Sequence, residues 1–191
     1  MNFCKDCGGT TLTSSECAAR ERTLEETRGQ LGRKVVAQTL DEEGKRLFSS
    51  ATTAYATYVD AMGRYAYEVY VEGSIRNMVA LAQERELHAK RTHDLAKFTG
   101  FLAGDTSTED LTRVQRQVAA ALAAVSTGTS AEREFLGKTQ EAWGKYRDAE
   151  VALYQHVFGA KQGTERVRAA LLLYLETRRA KECGPPSLQG D

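Results

Sequence analysis

Four cysteines carry the most reactive chemistry in this chain: Cys4, Cys7 and Cys17 near its start, and Cys183 near its end. Cys4-Lys5-Asp6-Cys7 has C-x-x-C spacing, which in a reducing compartment is half of a tetrahedral zinc site. In an oxidising compartment the same four sulfurs make two disulfides, with three possible connectivities. A zinc site needs a second C-x-x-C, and there is none; Cys17 and Cys183 would have to complete it from distant places. Two disulfides are the simpler expectation. The histidines are His88, His93 and His156. His88 and His93 are five apart and do not stack as an i, i+4 metal pair. Glu84 and His88 are four apart, which is not the Glu-x-x-His of di-iron bundles. The three histidines read as solvated surface. No G-x-S-x-G nucleophile motif and no G-x-x-x-x-G-K-[ST] phosphate loop occurs. The expectation is a protein that is not an enzyme and uses no metal or cofactor.

The elements that would position these residues are helices. The chain has 191 residues, 41% hydrophobic and 27% charged, which is ordinary globular composition. No run of eighteen apolar residues exists, so no transmembrane helix is expected. Formal net charge is zero, and neither half of the chain is a basic arm or an acidic tail. That argues against nucleic acid as a partner, which would want a basic surface. Only two prolines occur, both beyond Gly184. Leu24, Leu31 and Val35 share one helical face. Leu47, Ala51, Ala54, Tyr55, Tyr58, Met62, Tyr65, Val69 and Tyr70 form a second stripe; Ile75, Met78, Val79, Ala82, Leu87 and Leu95 form a third. Leu111, Val114, Val118 and Leu122 keep the same spacing, as do Phe135, Leu136, Trp143, Tyr146 and Leu153, and then Val167, Leu171, Tyr174 and Leu175. Breaks are expected at Asp41–Gly44, at Glu72-Gly73-Ser74 with Ser74 as N-cap, at 100–108 (GFLAGDTST), at 126–130 (STGTS) and at 159–163 (GAKQG).

Shifting the chain by 88 residues brings Ala54-Tyr55-Ala56-Thr57-Tyr58-Val59-Asp60-Ala61 onto Ala142-Trp143-Gly144-Lys145-Tyr146-Arg147-Asp148-Ala149. Leu47-Phe48 then meets Phe135-Leu136, and Arg91 meets Arg179. Leu24 and Leu31 fall on Leu111 and Val118 with one residue of slippage. Matching helices, breaks and aromatic positions point to an internal duplication. The expected fold is all-α: two related three-helix units forming a helical bundle, with a disulfide-stapled N-terminal loop. The expected boundaries are 1–16 for the cysteine-containing loop, 17–99 for the first unit, 100–107 for a linker, 108–183 for the second unit and 184–191 for a disordered tail.

Gln140-Glu141-Ala142-Trp143-Gly144-Lys145-Tyr146-Arg147-Asp148-Ala149 resembles the AQ-x-AW-x-x-YRDA signature of the LprI-type lysozyme-inhibitor domain family. Cys7-Gly8 through Ser15-Glu16-Cys17-Ala18 resembles that family's N-terminal segment. Glu72-Gly73-Ser74-Ile75-Arg76-Asn77-Met78 resembles its GGS-x-x-x-M segment, followed by Leu87 and Arg91 in the closing helix. The resemblance covers residues 4–98 and, more weakly, 108–182. There are departures. The family's cysteine after the signature and its partner in the last helix fall near Gly63 and Gln83 in the first unit, and near Val151 and Leu171 in the second. None of these is cysteine, and Val59 replaces the signature arginine in the first copy. The resemblance implies a secreted or periplasmic helical protein, its leader already removed from a chain that opens without an apolar h-region. It implies that Cys17 pairs with Cys4 or Cys7. The remaining N-terminal cysteine would then reach Cys183, a closure that in the chain-entropy model restricts the unfolded state by about 3–5 kcal/mol.

Trp143, Tyr146, Arg147 and Asp148, with Tyr55, Tyr58 and Asp60 in the first copy, carry the family-like motif. Their spacing makes them structural, with Arg147 and Asp148 pairing to neighbouring helices. Tyr67 and Tyr70 lie off the core stripe or near the helix end and are candidate partner-binding residues, as is Lys161 in a loop. The function expected from the resemblance is inhibition of a peptidoglycan-cleaving enzyme by direct binding, in the periplasm or outside the cell. Immunity against a secreted cell-wall-targeting toxin is a variant of it. The partner is then a protein, a peptidoglycan hydrolase or toxin. The alternatives are a structural or envelope-stress helical module without an enzyme target, and a cytosolic zinc-binding interaction module.

Overall fold

A computed structural model describes residues 11–69, 73, 75–125 and 128–182. The protein is all-α. Helices α1 (Thr11–Gln38), α2 (Glu42–Val69) and α3 (Arg76–Lys97) are followed by a short 3-10 turn (Phe98–Gly100). Helices α4 (Thr108–Val125), α5 (Ser130–Gln162) and α6 (Thr164–Glu182) complete the chain, and no strand occurs among the described residues. None of the helices is long and apolar enough to cross a membrane.

The helix starts follow local chemistry. Asp41 Oδ1 accepts the Gly44 amide at 2.7 Å, capping the first turn of α2. Ser107 Oγ accepts the Asp110 amide at 3.0 Å at the start of α4. Thr129 and Glu132 form a reciprocal capping box at the start of α5. Two boundaries differ from the sequence expectation. α1 begins at Thr11, because Thr11–Glu16 joins the helix that follows. The segment 159–163 is not a loop: α5 runs through Gln162, and Gly163 alone joins it to α6. Gly163 has φ +87°, a region closed to most side chains. Ser74 lies outside the described residues; Ile75 occupies the cap position of α3 and its side chain makes no cap.

Two compact units divide the chain: Met1–Thr39 with Val59–Thr99, and Leu40–Tyr58 with Gly100–Asp191. The division falls inside α2, at Tyr58/Val59. Helix starts recur at a fixed offset: α5 begins 88 residues after α2, and α6 begins 88 residues after α3. Buried positions recur with them. Val79, Leu87, Arg91 and Asp94 of α3 correspond to Val167, Leu175, Arg179 and Glu182 of α6, and all eight are buried.

In the first unit α1 packs along α3 through glycine. A β-carbon on Gly32 would stand 3.2 Å from Leu95 Cβ, and one on Gly29 would stand 3.4 Å from Thr92 Oγ1. Such close approach brings backbone near backbone and rewards small residues. Arg22 Nε donates to Glu84 Oε2 at 2.8 Å, and Arg85 pairs with Glu21, so charges cross the same seam. Val36, Met62, Tyr65, Val79, Leu87 and Leu95 are buried here. The apolar face expected to be core on α1 is not: Leu24, Leu31 and Val35 are 42%, 60% and 62% exposed. The glycine face won because it admits α3 more closely than a leucine face would.

In the second unit Ala51, Tyr55 and Tyr58 of α2 are buried, with Val114 and Val118 of α4. Trp143, Tyr146, Leu153, Tyr154 and Phe158 of α5 and Val167, Leu171 and Leu175 of α6 are buried too. Tyr174, expected in the α6 stripe, faces outward. The 101–107 segment is held rather than loose. Gln162 Oε1 accepts the Ala103 amide at 2.7 Å, and Gln162 Nε2 donates to the Phe101 carbonyl at 2.9 Å. The Phe101 ring meets Tyr154 edge-on at 4.9 Å. Arg166 of α6 pairs with Asp105 at 3.0 Å.

Candidate functional site

The densest polar chemistry among the described residues lies inside the second unit, where α2, α5 and α6 bring arginines, carboxylates and aromatic rings together. Arg179 is 1% exposed. Its Nη1 donates to Tyr58 Oη at 2.8 Å, and Tyr58 Oη donates to Glu182 Oε2 at 2.5 Å. Arg178 Nε lies 3.3 Å from Glu182 Oε1, and Arg178 Nη2 donates to Tyr146 Oη at 3.1 Å. The Arg179 guanidinium lies over the Tyr58 ring at 5.4 Å and over the Trp143 ring at 5.6 Å. Arg178 lies over Tyr146 at 5.7 Å. Desolvated cation–π contacts of this kind contribute about 2 kcal/mol each.

The helical period explains the arrangement. Leu171, Leu175, Arg178, Arg179 and Glu182 share the inward face of α6 at steps of three and four. The first two lie on apolar core, and the last three reach the aromatic floor laid by α2 and α5. Burial pushes the Tyr58 phenol well above its ordinary pKa; the Glu182 carboxylate adds to this and the Arg179 guanidinium opposes it. Tyr58 therefore stays neutral and acts as a hydrogen-bond bridge between an arginine and a carboxylate. Removing one partner from such a buried pair is costly, because the other charge is left uncompensated. At the edge of the cluster Arg147 reaches both Asp148, at 2.9 Å, and Glu176 of α6, at 3.3 Å.

The residues singled out from the sequence fall as follows. Tyr55, Tyr58, Trp143 and Tyr146 come together as one aromatic group: Tyr58–Trp143 at 5.3 Å, Tyr55–Tyr146 at 5.2 Å, and Tyr58 stacked on Tyr146 at 5.8 Å. The two motif copies thus meet each other. Asp60 is exposed and pairs with Arg64 at 3.1 Å on its own helix, apart from that group. Asp148 is exposed and held only by Arg147 among the contacts above. Tyr67 is exposed, with Arg76 over its ring at 5.7 Å. Tyr70, Cys4, Cys7 and Cys183 lie outside the described residues. Cys17 is buried. Lys161 is exposed in the last turn of α5, not in a loop.

Arg178, Glu176 and Glu182 were not singled out from the sequence. The signal was present: charged side chains continue an apolar stripe at unbroken helical spacing. His88, expected on the surface, is half-buried, and burial holds its imidazole below the ordinary histidine pKa. His156 is exposed, as expected, and its Nε2 lies 2.9 Å from Asp41 Oδ1. That contact lowers the Asp41 carboxyl, and the Gly44 amide adds to the effect. A shallow open groove of about 420 Å³ is lined by Ser49, Ser50, Thr53, Ala54 and Thr57 of α2 and by Lys145 of α5. Lys145 is tied to Glu141 at 2.6 Å. No cluster of metal-ligating side chains occurs among the described residues.

Comparison with family models, with curated proteins and with solved structures gives no match for this chain.

Proposed function

We propose that this chain is a duplicated, LprI-like helical protein that acts by binding, and that its target is a peptidoglycan-cleaving enzyme or a secreted cell-wall toxin. The observation that carries this reading is the mutual packing of Tyr58 on Tyr146. The two motif copies spend their aromatic residues on one another, inside a core of paired charges. What remains for function is the outer surface of the helices and their joints. The fixed 88-residue recurrence of helix starts supports two related units. The even number of cysteines and the lack of a second C-x-x-C favour an oxidising compartment, periplasmic or secreted, over a cytosolic zinc module. In this reading Cys17 pairs with Cys4 or Cys7, and the other of these with Cys183, stapling the start of the chain.

The test is a peptidoglycan-turbidity assay with lysozymes, amidases and candidate toxins, each with and without the purified chain. Inhibition of at least one at micromolar concentration is expected. Absence of inhibition across all of them would leave the envelope-module reading in its place. A thiol count and metal analysis of the native protein accompany it. No titratable thiol and no zinc are expected; four thiols with stoichiometric zinc would overturn the compartment.

A further inference from the structure

We infer that the outward face of α1 is a docking seam for a partner helix whose apolar stripe is flanked by acidic side chains. The stripe is built from Leu24, Arg28, Leu31, Val35 and Gln38. Their spacing alternates four and three residues, the 3.5-residue repeat of a two-stranded coiled coil. Leucine at one core position and a β-branched residue at the next is the combination that such pairs use. Leu24, Arg28, Leu31, Val35 and Gln38 are all exposed, although α1 is held along its other face by α3.

The flanks decide what fits. On one side of the stripe stand Arg20, Thr27 and Lys34, all exposed. On the other side stand Glu25 and Gly32, turned toward α3, with Gly32 against Leu95. The exposed charged residues among the described positions of α1 are Glu16, Arg20, Arg28 and Lys34, and Arg28 is held by Glu25 of the same helix, so the cations flanking the stripe are Arg20 and Lys34. Two further acids are engaged by arginines, Glu21 by Arg85 of α3 and Glu26 by Arg22 of α1 itself. A chain of zero net charge therefore presents a locally basic seam here. Carboxylates on the partner would meet Arg20 and Lys34 across the seam, which favours correct partners and register. A second copy of this stripe fits worse, since antiparallel self-pairing sets the Arg20 and Lys34 flank against itself, and parallel self-pairing offers Lys34 no acid and Arg20 only Glu25, which already pairs with Arg28. A lipid surface fits worse too, because two leucines and one valine in single file offer little apolar area to insert.

This inference does not depend on the identity of any enzyme target, and it is tested without one. The probes are two synthetic peptides of about three heptads with identical leucine and valine seams. One carries glutamate on its flanks and the other lysine. Binding to the full chain is followed by fluorescence anisotropy, alongside Leu31→Glu, a change at an exposed position that leaves the helical circular dichroism intact. The glutamate peptide is expected to bind, to weaken with salt, and to lose about tenfold or more in affinity to the Leu31→Glu chain; the lysine peptide is expected not to bind. Equal binding of both peptides, binding of neither, or indifference to Leu31→Glu would overturn the inference. So would a Leu31-dependent dimer in analytical ultracentrifugation, or Leu31-dependent pelleting with phosphatidylglycerol vesicles, either of which would hand the seam to another occupant.

Discussion

Tyr58 of α2 stacks on Tyr146 of α5 with ring planes 8° apart, and each phenol oxygen accepts a hydrogen bond from one of two adjacent arginines of α6. Arg179 serves Tyr58 and Arg178 serves Tyr146. Glu182 closes the arrangement from one turn further along.

Removing the Tyr58 hydroxyl tests that arrangement. Tyr58→Phe leaves the ring in place and strips Arg179 and Glu182 of their shared bridge. The expected loss is about 1–3 kcal/mol, the cost of buried polar groups left short of a partner. Arg179→Met is expected to cost more, about 3–5 kcal/mol, since it removes the donor to Tyr58 together with the cation–π contacts to Tyr58 and Trp143. Urea denaturation followed by circular dichroism reads both, and equal stability of Tyr58→Phe and the parent would refute the bridge.

Gly163 joins two long helices alone. Its φ of +87° is open to glycine and strained for alanine. Gly163→Ala should destabilise by about 1–3 kcal/mol. Gly100→Ala is the control: its β-carbon would meet nothing within 4 Å, and its φ is ordinary. Thermal melts of the two variants should separate, with only Gly163→Ala falling.

Gln162 holds the 101–107 segment by both ends of its amide. Gln162→Ala is expected to release the amide of Ala103, and hydrogen exchange there should rise while exchange in the middle of α5 stays unchanged. Gln162→Glu keeps the acceptor for Ala103 and replaces the donor to Phe101, so protection at Ala103 should be retained.

His88 makes stability depend on pH. Burial lowers its folded-state pKa below the ordinary 6.5. Between the two values the unfolded chain binds the extra proton, so stability rises with pH through this window. The contribution is complete above the unfolded value and is lost as pH falls through the folded one. Glu84 works in the opposite sense: burial raises its carboxyl above 4.5, opposed by Arg22, so its contribution falls as pH rises from there. Denaturant midpoints measured across the acid range should fall below pH 6.5, and His88→Gln should flatten that fall. An unaltered slope in His88→Gln would remove His88 as its source.

The sequence displayed its helices well and its faces unevenly. The stripe Ala51, Tyr55, Tyr58, Met62 and Tyr65 is buried as its spacing indicates, and Trp143, Tyr146 and Leu153 likewise. α1 carries two faces that could be core, and apolar periodicity selects the wrong one. The true contact is written in Gly29 and Gly32, residues that add nothing to a hydrophobic stripe yet let α3 approach. Tyr174 fails for a related reason, since α6 assigns its inward positions to Arg178 and Arg179. A buried arginine looks like surface until the rings beneath it are placed, and those rings come from α2 and α5, far away in the chain. The aromatic positions themselves were legible through the 88-residue shift; that the two sets touch was not, because periodicity places residues on a face without saying which face they meet.

The division inside α2 has a consequence for how the chain is made. Tyr55 and Tyr58 leave the ribosome more than a hundred residues ahead of Arg178, Arg179 and Glu182. Contacts separated by 121 and 124 residues cannot form until α6 has been made. Until then the aromatic face of α2 has no lid, and it is a sticky surface for a nascent chain to carry. A protein cut at the 100–107 segment would keep that face uncovered in one fragment and leave a headless charge cluster in the other. Helix α6 is therefore the keystone: a truncation that removes it should send the protein to aggregation rather than to a smaller folded form.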